Sequence, residues 1–320
     1  MPAYSAKERV SSLDTNSVTG DRPSTPEALQ AADWPNRASS TFVEAGGIRW
    51  HVQSMGSGPL CLLLHGTGAS THSWRDFAPA LAKRFSVIAL DLPGHGFTQT
   101  PPNNGMTLLG MAKLVSQLLE VMNAKPLLAV GNSAGAAVLM RMSLDHQLSA
   151  PLVVSLNGAL LPYEGFGRKL YPALARLMFL NPVAPRIFAW RAKDQGQVDA
   201  VITNTGSNID AVGLGQYAQL FRNPAHVAAT LRMMANWDLE SLERDMPGLK
   251  AHLVLVATAD DRAIPAELAF KVRDRVPGSE VVYLRRLGHL AHEEQPQEIA
   301  GIVMRQAEMM GILKPEMAGE

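Results

Sequence analysis

The stretch Leu127-Leu128-Ala129-Val130-Gly131-Asn132-Ser133-Ala134-Gly135 decides the fold of this chain. Its apolar first half predicts a buried strand, and the residues from Ala134 to His146 predict a helix. A Gly-x-Ser-x-Gly segment between a strand and a helix is typical of a nucleophile elbow, in which a strained turn lifts the serine hydroxyl clear of the sheet. Bulky residues two positions before or after Ser133 would collide in that turn. The helix N-terminus behind the serine also favours developing negative charge.

The other groups of a serine-based site follow in the order serine, acid, histidine. The apolar segment His252–Ala257 predicts a strand that runs into Asp260 and Asp261, and the next predicted strand ends shortly before His289. In open α/β folds such strand ends gather at one edge of the sheet, where the sites lie. A loop aspartate and a solvated histidine are the ordinary interpretations of each residue alone. Order and position together favour a catalytic triad of Ser133, His289 and one of these aspartates.

An earlier turn supplies candidate donors for an oxyanion. The apolar strand Leu60–Leu64 runs into His65-Gly66-Thr67-Gly68, and a glycine-containing turn in this place can direct a backbone N–H at a developing negative charge. We assign the two donors to the N–H groups of Thr67 and Ala134, and expect the glycines to provide backbone freedom. His65 is interpreted as a residue that stabilises the turn rather than as a base.

Strands and helices alternate over most of the chain, which predicts an α/β fold with a mostly parallel sheet and helices on both faces. Eight strands are predicted, at 41–45, 48–53, 60–64, 86–90, 127–130, 153–156, 252–257 and 280–284. Helices are predicted at 74–83, 108–122, 134–146, 266–275 and 297–310.

Two segments depart from this alternation. Residues 1–33 are rich in Ser, Thr, Asp and Pro and predict a disordered leader. Residues 158–235 are helical pieces broken by prolines, and they predict a helical cap over Ser133 on a core of residues 34–157 and 236–320. Their Leu, Met and aromatic side chains predict an apolar cavity with Trp190 as its fluorescent reporter, although such side chains more often pack on each other and can also touch a membrane or a partner.

Composition narrows the functional classes. The chain has 29 basic and 29 acidic residues and no block of like charge, so nucleic-acid binding is not expected. The single cysteine, Cys61, lies in an apolar strand and predicts a buried thiol; one cysteine forms no intrachain disulfide and fits a reducing cytoplasm. The N-terminus lacks a signal-peptide pattern, and no apolar run has transmembrane length.

The residues around the histidine allow a second interpretation, a metal site. His289 and His292 lie three residues apart beside Glu293 and Glu294, a spacing that can suit a metal. The triad role explains His289 better, so we expect neither a metal nor a cofactor. His292 and Glu293 are expected to bond to the loop backbone or to solvent.

These features together resemble the α/β-hydrolase superfamily over residues 42–309. The segment Asp91–Thr98 resembles the turn after its fourth strand, and Gly288-His289 followed by Glu294 and Pro296 resembles its histidine loop. The resemblance implies that the acid is Asp261, which lies four residues before Pro265. Asp260 is then expected to cap a turn or face solvent.

A narrower resemblance is to the BchO family of magnesium-chelatase accessory proteins in bacteriochlorophyll synthesis. It rests on the segments Trp34–Arg37, Gly47–Gln53, His65–Ala69 with His72–Asp76, Leu156–Pro162 and Gly288–Glu294. It implies a tetrapyrrole pathway of a photosynthetic bacterium, a hydrophobic ligand such as a tetrapyrrole, contact with magnesium chelatase, and a cytoplasmic location that can be peripheral to the photosynthetic membrane. Asn132 stands where many relatives carry His, and its side chain is expected to point away from the attacking hydroxyl.

Three functions remain open. The triad favours a serine hydrolase of the carboxylic-ester type, whereas the BchO resemblance favours a non-catalytic accessory protein that binds a porphyrin or the chelatase. A general carboxylesterase or a C–C bond hydrolase is the third. An Asp-nucleophile dehalogenase or epoxide hydrolase is disfavoured because the elbow residue is Ser133.

Overall fold

In the computed structural model, which describes residues 33–162, 181 and 183–315, eight strands form one sheet. They are β1 (Ser40–Ala45), β2 (Ile48–Gly56), β3 (Leu60–Leu64), β4 (Ser86–Leu90), β5 (Leu128–Asn132), β6 (Leu152–Leu156), β7 (His252–Thr258) and β8 (Glu280–Leu284). The strand order is β1-β2-β4-β3-β5-β6-β7-β8. Strand β2 is antiparallel to both of its neighbours, and every other adjacent pair is parallel. The predicted eight-stranded, mostly parallel sheet is confirmed.

The described helices are α1 (Phe77–Leu81), α2 (Leu108–Val121), α3 (Ala134–Leu144), α4 (Ala184–Arg191), α5 (Gln195–Thr203), α6 (Ala211–Phe221), α7 (Pro224–Ala235), α8 (Leu239–Asp245), α9 (Glu267–Arg275), α10 (Ala291–Glu294) and α11 (Pro296–Met309). The prediction of one helix over 74–83 is wrong at its start, because a 3₁₀ turn ends at Trp74 and α1 begins only at Phe77. Pro79 has no N–H to donate to the carbonyl of Arg75, so it fits only a first turn. That carbonyl instead accepts from Asn36 Nδ2 at 2.9 Å.

Helices cover both faces of the sheet, and the two cores between them follow from strand alternation. Along β3, Leu62 and Leu64 pack in the cluster that includes α2 and α3, whereas Cys61 and Leu63 pack in the cluster that includes α1 and α11. The predicted burial of the Cys61 thiol is confirmed. Burial on both faces makes the central strands continuous apolar runs.

Helices α4 to α8 stand between β6 and β7, and we call the first four, α4 to α7, the insertion helices. Helix α4 packs against α7, and α5 packs against α6. Residues 1–32 of the predicted leader and residues 163–180 and 182 of the predicted cap lie outside the described residues. Within the described ranges, no helix is both long and apolar enough to cross a membrane.

Candidate active site

Ser133 occupies a strained turn between β5 and α3. Its backbone has φ 50° and ψ −116°, a left-handed conformation that costs energy in a residue with a Cβ. A Cβ at Gly131 would lie 2.5 Å from the nitrogen of Ala136, and one at Gly135 would lie 2.1 Å from the carbonyl oxygen of Leu64. The two glycines therefore allow the helix to follow the strand so closely, as the sequence predicts for a nucleophile elbow.

Of the two candidate aspartates, Asp261 contacts the histidine. Asp261 Oδ2 lies 2.8 Å from His289 Nδ1, while Asp261 Oδ1 accepts the N–H groups of Ala263 and Ile264, both at 2.8 Å. Both residues are buried, and Asp260 is exposed. The two oxygens of the Asp261 carboxylate thus bond to different partners. The backbone N–H groups hold the carboxylate in place, so that it faces the Nδ1 side of the His289 ring.

The backbone around His289 is fixed by polar side chains from distant parts of the chain. Asn132 Nδ2 and Asn157 Nδ2 both donate to the His289 carbonyl at 3.2 Å. The Gly288 N–H donates to Glu294 Oε1 at 2.8 Å, and the Leu290 N–H donates to Ser207 Oγ at 2.9 Å. Asn132 therefore bonds to the histidine loop, in agreement with the expectation that it points away from the hydroxyl.

Sequence reasoning missed the parts played by Asn157 and Ser207 in this arrangement. The one available signal was the position of Asn157 directly after β6, at the same sheet edge as the elbow. Asn157 also has a left-handed φ of 46°, which asparagine tolerates better than most residues. Nothing in the local sequence marks Ser207, because its partner lies 83 residues further on.

The predicted oxyanion turn approaches the nucleophile closely. A Cβ on Gly66 would lie 3.1 Å from Ser133 Cβ and 2.8 Å from Asn132 Oδ1, and the other glycine of the turn has φ +77°. Thr67 and Ala134 line the same cavity as Ser133. Among the described residues, no acceptor takes either of their N–H groups.

His65 stabilises this turn, as predicted. Its Nδ1 lies 2.7 Å from the Gly66 carbonyl oxygen, and its Nε2 accepts the N–H of Leu92 at 2.9 Å. Burial lowers the pKa of His65, against a smaller opposing effect of Asp91. A neutral ring that donates through Nδ1 satisfies both bonds, so His65 has no free nitrogen to act as a base.

A cavity of about 770 Å³ lies over Ser133 and His289. The insertion helices contribute mostly apolar side chains to its wall, namely Phe188, Val198, Val201, Phe221, Leu231, Met233 and Met234. His226 of α7 contacts two loops beside the site. Its Nε2 lies 3.0 Å from the Gly68 carbonyl oxygen, and its Nδ1 accepts the Gly96 N–H at 3.2 Å. The expectation for Trp190 is wrong: it is 68% exposed and off the cavity wall, whereas Trp237 lies on that wall.

The expectation that His292 and Glu293 bond to the loop backbone or to solvent is also wrong, because both are buried among side chains. Ser73 Oγ and Tyr217 OH donate to Glu293 Oε1 at 2.6 and 2.8 Å, and Arg75 Nη1 lies 3.2 Å from Oε2. His292 Nε2 lies 2.8 Å from Ser73 Oγ. Burial raises the pKa of Glu293 to about 7 and lowers that of His292 to about 3. We call these five residues the Glu293 cluster; its Tyr217 comes from α6 and ties the insertion to the sheet domain.

The metal alternative receives no support from geometry. In the part of the chain that the structure describes, no three His, Cys, Asp or Glu side chains are grouped so that they can hold a metal ion. His289 Nδ1 is engaged with Asp261, and His292 Nε2 with Ser73.

The fold and the elbow together define a hydrolase-type α/β protein, and comparison with known proteins agrees. The sequence model of the Alpha/beta hydrolase family matches residues 61–302, and the chain belongs to this family. A structure described as an alpha/beta hydrolase fold protein from Burkholderia ambifaria superposes with a TM-score of 0.71 at 24% identity, covering 83% of this chain and 97% of that one. At this identity the likeness shows the fold alone.

Among curated proteins, the chain is similar to the magnesium-chelatase 30 kDa subunit of Rhodobacter capsulatus. The two are 37% identical over 287 residues, which cover 87% of this chain and 98% of that protein. The chain is also 27% identical over 278 residues to the 2-hydroxy-6-oxo-6-(2'-aminophenyl)hexa-2,4-dienoic acid hydrolase of Metapseudomonas resinovorans, covering 82% of this chain and 89% of that enzyme. The resemblance to the chelatase-associated family is confirmed at this level.

Proposed function

We propose that this protein is a serine hydrolase of the carboxylic-ester type, with Ser133 as nucleophile, His289 as general base and Asp261 as the acid that orients it. The proposal is carried by the 2.8 Å contact between His289 Nδ1 and Asp261 Oδ2 beside a cavity that Ser133 also lines. An ionised carboxylate only accepts hydrogen bonds, so Nδ1 carries the ring hydrogen and Nε2 has a free lone pair. That is the tautomer a general base needs.

The reaction then follows from these groups. As Ser133 Oγ attacks the carbonyl carbon of an ester, its proton passes to His289 Nε2, and Asp261 stabilises the charged imidazole. The N–H groups of Thr67 and Ala134 hold the negative oxygen, and each such donor contributes about 3 kcal/mol. His289 returns the proton to the departing alcohol, and water, activated by the same base, releases the acid from Ser133.

The cavity supports a hydrophobic small molecule as the substrate. Its volume of about 770 Å³ falls within the usual range of ligand pockets, and an apolar wall with a few polar groups at its base is typical of such sites. We propose that the substrate is a tetrapyrrole ester. In the domain organisation that we propose, residues 158–235 form the cap and residues 34–157 and 236–320 form the core. Residues 1–33 form a leader. The proposed location is the cytoplasm, which the single buried thiol of Cys61 fits.

Ester turnover tests the chemistry. The full chain is assayed with p-nitrophenyl esters of increasing acyl length, and Ser133→Ala and His289→Ala are expected to lower kcat to the background rate. Ser116→Ala is the matched control, since Ser116 lies half-buried on α2 and does not line the cavity. Undiminished hydrolysis by Ser133→Ala would contradict the proposal.

The second candidate is a non-catalytic accessory protein that binds a porphyrin or the chelatase. It is favoured by the 37% identity to a magnesium-chelatase 30 kDa subunit. A deletion strain separates the two: accumulated protoporphyrin points to the chelatase step, and an accumulated esterified intermediate points to hydrolysis. Restoration of pigment by a Ser133→Ala gene as well as by the wild-type gene would favour the accessory role.

The third candidate, a general carboxylesterase or C–C bond hydrolase, is supported by the similarity to the dienoic acid hydrolase of Metapseudomonas resinovorans. A pigment-normal deletion strain, combined with rapid turnover of simple esters or of a dienoic acid by the purified protein, would favour it.

A further inference from the structure

Helix α4 attaches to the protein along a narrow seam. Its buried residues are Pro185 and Ala189, and the buried Ala192 follows directly after its end; the spacing of the three places them on one side of the helix. All three are small; α4 packs against α7, and Ala192 packs with Val198 and Ile202 of α5.

The side of α4 opposite this seam is apolar. Val183, Ile187 and Trp190 stand at i, i+4 and i+7, and they are 49%, 50% and 68% exposed. This spacing places them in one row along the helix. We call this row the outer ridge. Because the buried seam is on the other side, the outer ridge points away from the described residues against which α4 packs.

Positive charges flank the outer ridge. Arg186, Arg191 and Lys193 are exposed, and no acidic residue occurs between positions 183 and 193. None of the three forms an ion pair with another described residue; Arg191 Nη2 donates to the neutral Gln197 Oε1 at 2.8 Å. The nearest carboxylate in sequence, Asp194, accepts the Gly196 N–H and caps α5. The surface therefore combines a row of apolar side chains with cations that form no ion pair with a described carboxylate.

The outer ridge lies beside the cavity. Phe188 and Arg191, on one flank of α4, line the cavity wall, whereas Ile187 and Trp190 do not. The outer ridge and the cavity therefore lie on neighbouring sides of α4.

We propose that the outer ridge of α4 docks this protein on the surface of an anionic lipid bilayer. Ile187 and Trp190 would insert at the level of the headgroups, and the flanking cations would contact lipid phosphates. An apolar helix face with Lys and Arg at its borders is typical of interfacial helices, and tryptophan favours that depth. Cations that form no ion pair with a described carboxylate fit an anionic lipid better than an uncharged apolar partner. The proposal does not depend on the reaction at Ser133.

Vesicle binding tests it with the full chain. Sedimentation with vesicles of equimolar phosphatidylcholine and phosphatidylglycerol is expected to capture the wild type, and pure phosphatidylcholine is expected to capture much less. Ile187→Ser with Trp190→Ser is expected to weaken binding by about tenfold or more. Arg186→Gln with Lys193→Gln is expected to weaken it by about fivefold per charge, with the loss decreasing as salt rises.

Trp190 supplies an internal reporter. Trp34, Trp50 and Trp74 are buried and Trp237 lines the cavity, so a blue shift of tryptophan emission that comes from the outer ridge is expected on adding anionic vesicles to the wild type and to Trp237→Phe, and is expected to disappear in Trp190→Phe. Leu109→Ser is the control, since Leu109 is 57% exposed on α2, outside the outer ridge; it is expected to bind like the wild type.

Failure of the wild type to bind anionic vesicles would overturn the proposal. Equal loss from the Leu109 control and from the outer-ridge variant would do the same. A far-ultraviolet circular dichroism spectrum and a urea unfolding midpoint equal to those of the wild type show that the outer-ridge variant is folded. If the purified protein does not sediment with the vesicles, yet the outer-ridge variant loses a contact with the chelatase, the outer ridge binds a protein partner and the lipid proposal is wrong.

Discussion

Replacing Asp261 with asparagine tests whether the acid acts through the tautomer of His289. One oxygen of Asp261 accepts two backbone N–H groups, from Ala263 and Ile264, and the other faces His289 Nδ1. Asparagine has only one acceptor oxygen. If that oxygen keeps the two backbone bonds, the amide nitrogen faces Nδ1, which must then accept. The ring proton moves to Nε2, where it blocks the transfer from Ser133.

The opposite rotamer does not rescue the site. It would direct the amide hydrogens at two N–H donors, at a cost of about 1–3 kcal/mol for each group left unsatisfied. We therefore expect kcat to fall by about 10³- to 10⁴-fold, equivalent to about 4–5.5 kcal/mol, with KM little changed.

The assay is steady-state hydrolysis of the best p-nitrophenyl ester. Asp260→Asn is the matched control, because Asp260 is the adjacent, exposed carboxylate, and it is expected to retain wild-type kcat. An Asp261→Asn variant within about tenfold of the wild type, or an equal loss in both variants, would refute the reasoning.

Three further changes test the surrounding structure. Gly135→Ala places a Cβ 2.1 Å from the Leu64 carbonyl oxygen and is expected to lower the free energy of unfolding by about 2 kcal/mol or more in urea titrations; Gly215→Ala, a helical position with nothing within 4 Å of the new Cβ, is expected to raise it by about 0.5–1 kcal/mol. Because the folded-state pKa of Glu293, about 7, exceeds its ordinary value of 4.5, its contribution to stability is present below pH 4.5 and is lost as pH rises through about 7. Urea unfolding at pH 5 and pH 8 tests this: from pH 5 to pH 8, the free energy of unfolding of Glu293→Gln should rise relative to that of the wild type by about 2–3 kcal/mol. If the difference between the two proteins is the same at both pH values, a buried, protonated carboxyl is excluded. Asn132→Ala removes one of the two amide donors to the carbonyl of the proposed base and is expected to lower kcat by about tenfold with KM unchanged, whereas a change in KM alone would point to a role in the cavity.

The parts of this molecule that the sequence could predict are those with local signals. Gly131 and Gly135 mark the elbow because steric contact within one turn requires them. The strands are recognisable as apolar runs since a parallel sheet is buried on both faces. The position of the loop with Asp261, directly after β7, was likewise evident from the end of an apolar run.

Long-range contacts explain what sequence reasoning missed. Ser207 reaches the histidine loop across 83 residues, and Asn157 reaches it across more than 130. Glu293 is buried because Tyr217 and Arg75 converge on it from distant segments. Such juxtapositions depend on how α6 packs on the sheet domain, which no local pattern specifies. The presence of Trp237 on the cavity wall, where Trp190 was expected, likewise depends on how the helices pack and not on a local pattern.

The most direct measurement is the site of covalent modification by a fluorophosphonate. The wild-type protein is treated with the reagent, digested, and analysed by mass spectrometry, with the Ser133→Ala protein treated in parallel. We expect a single adduct on the peptide that carries Ser133, with no adduct in the variant. Robust labelling of Ser133→Ala, or an adduct on another residue of the wild type, would contradict the assignment of Ser133 as the nucleophile.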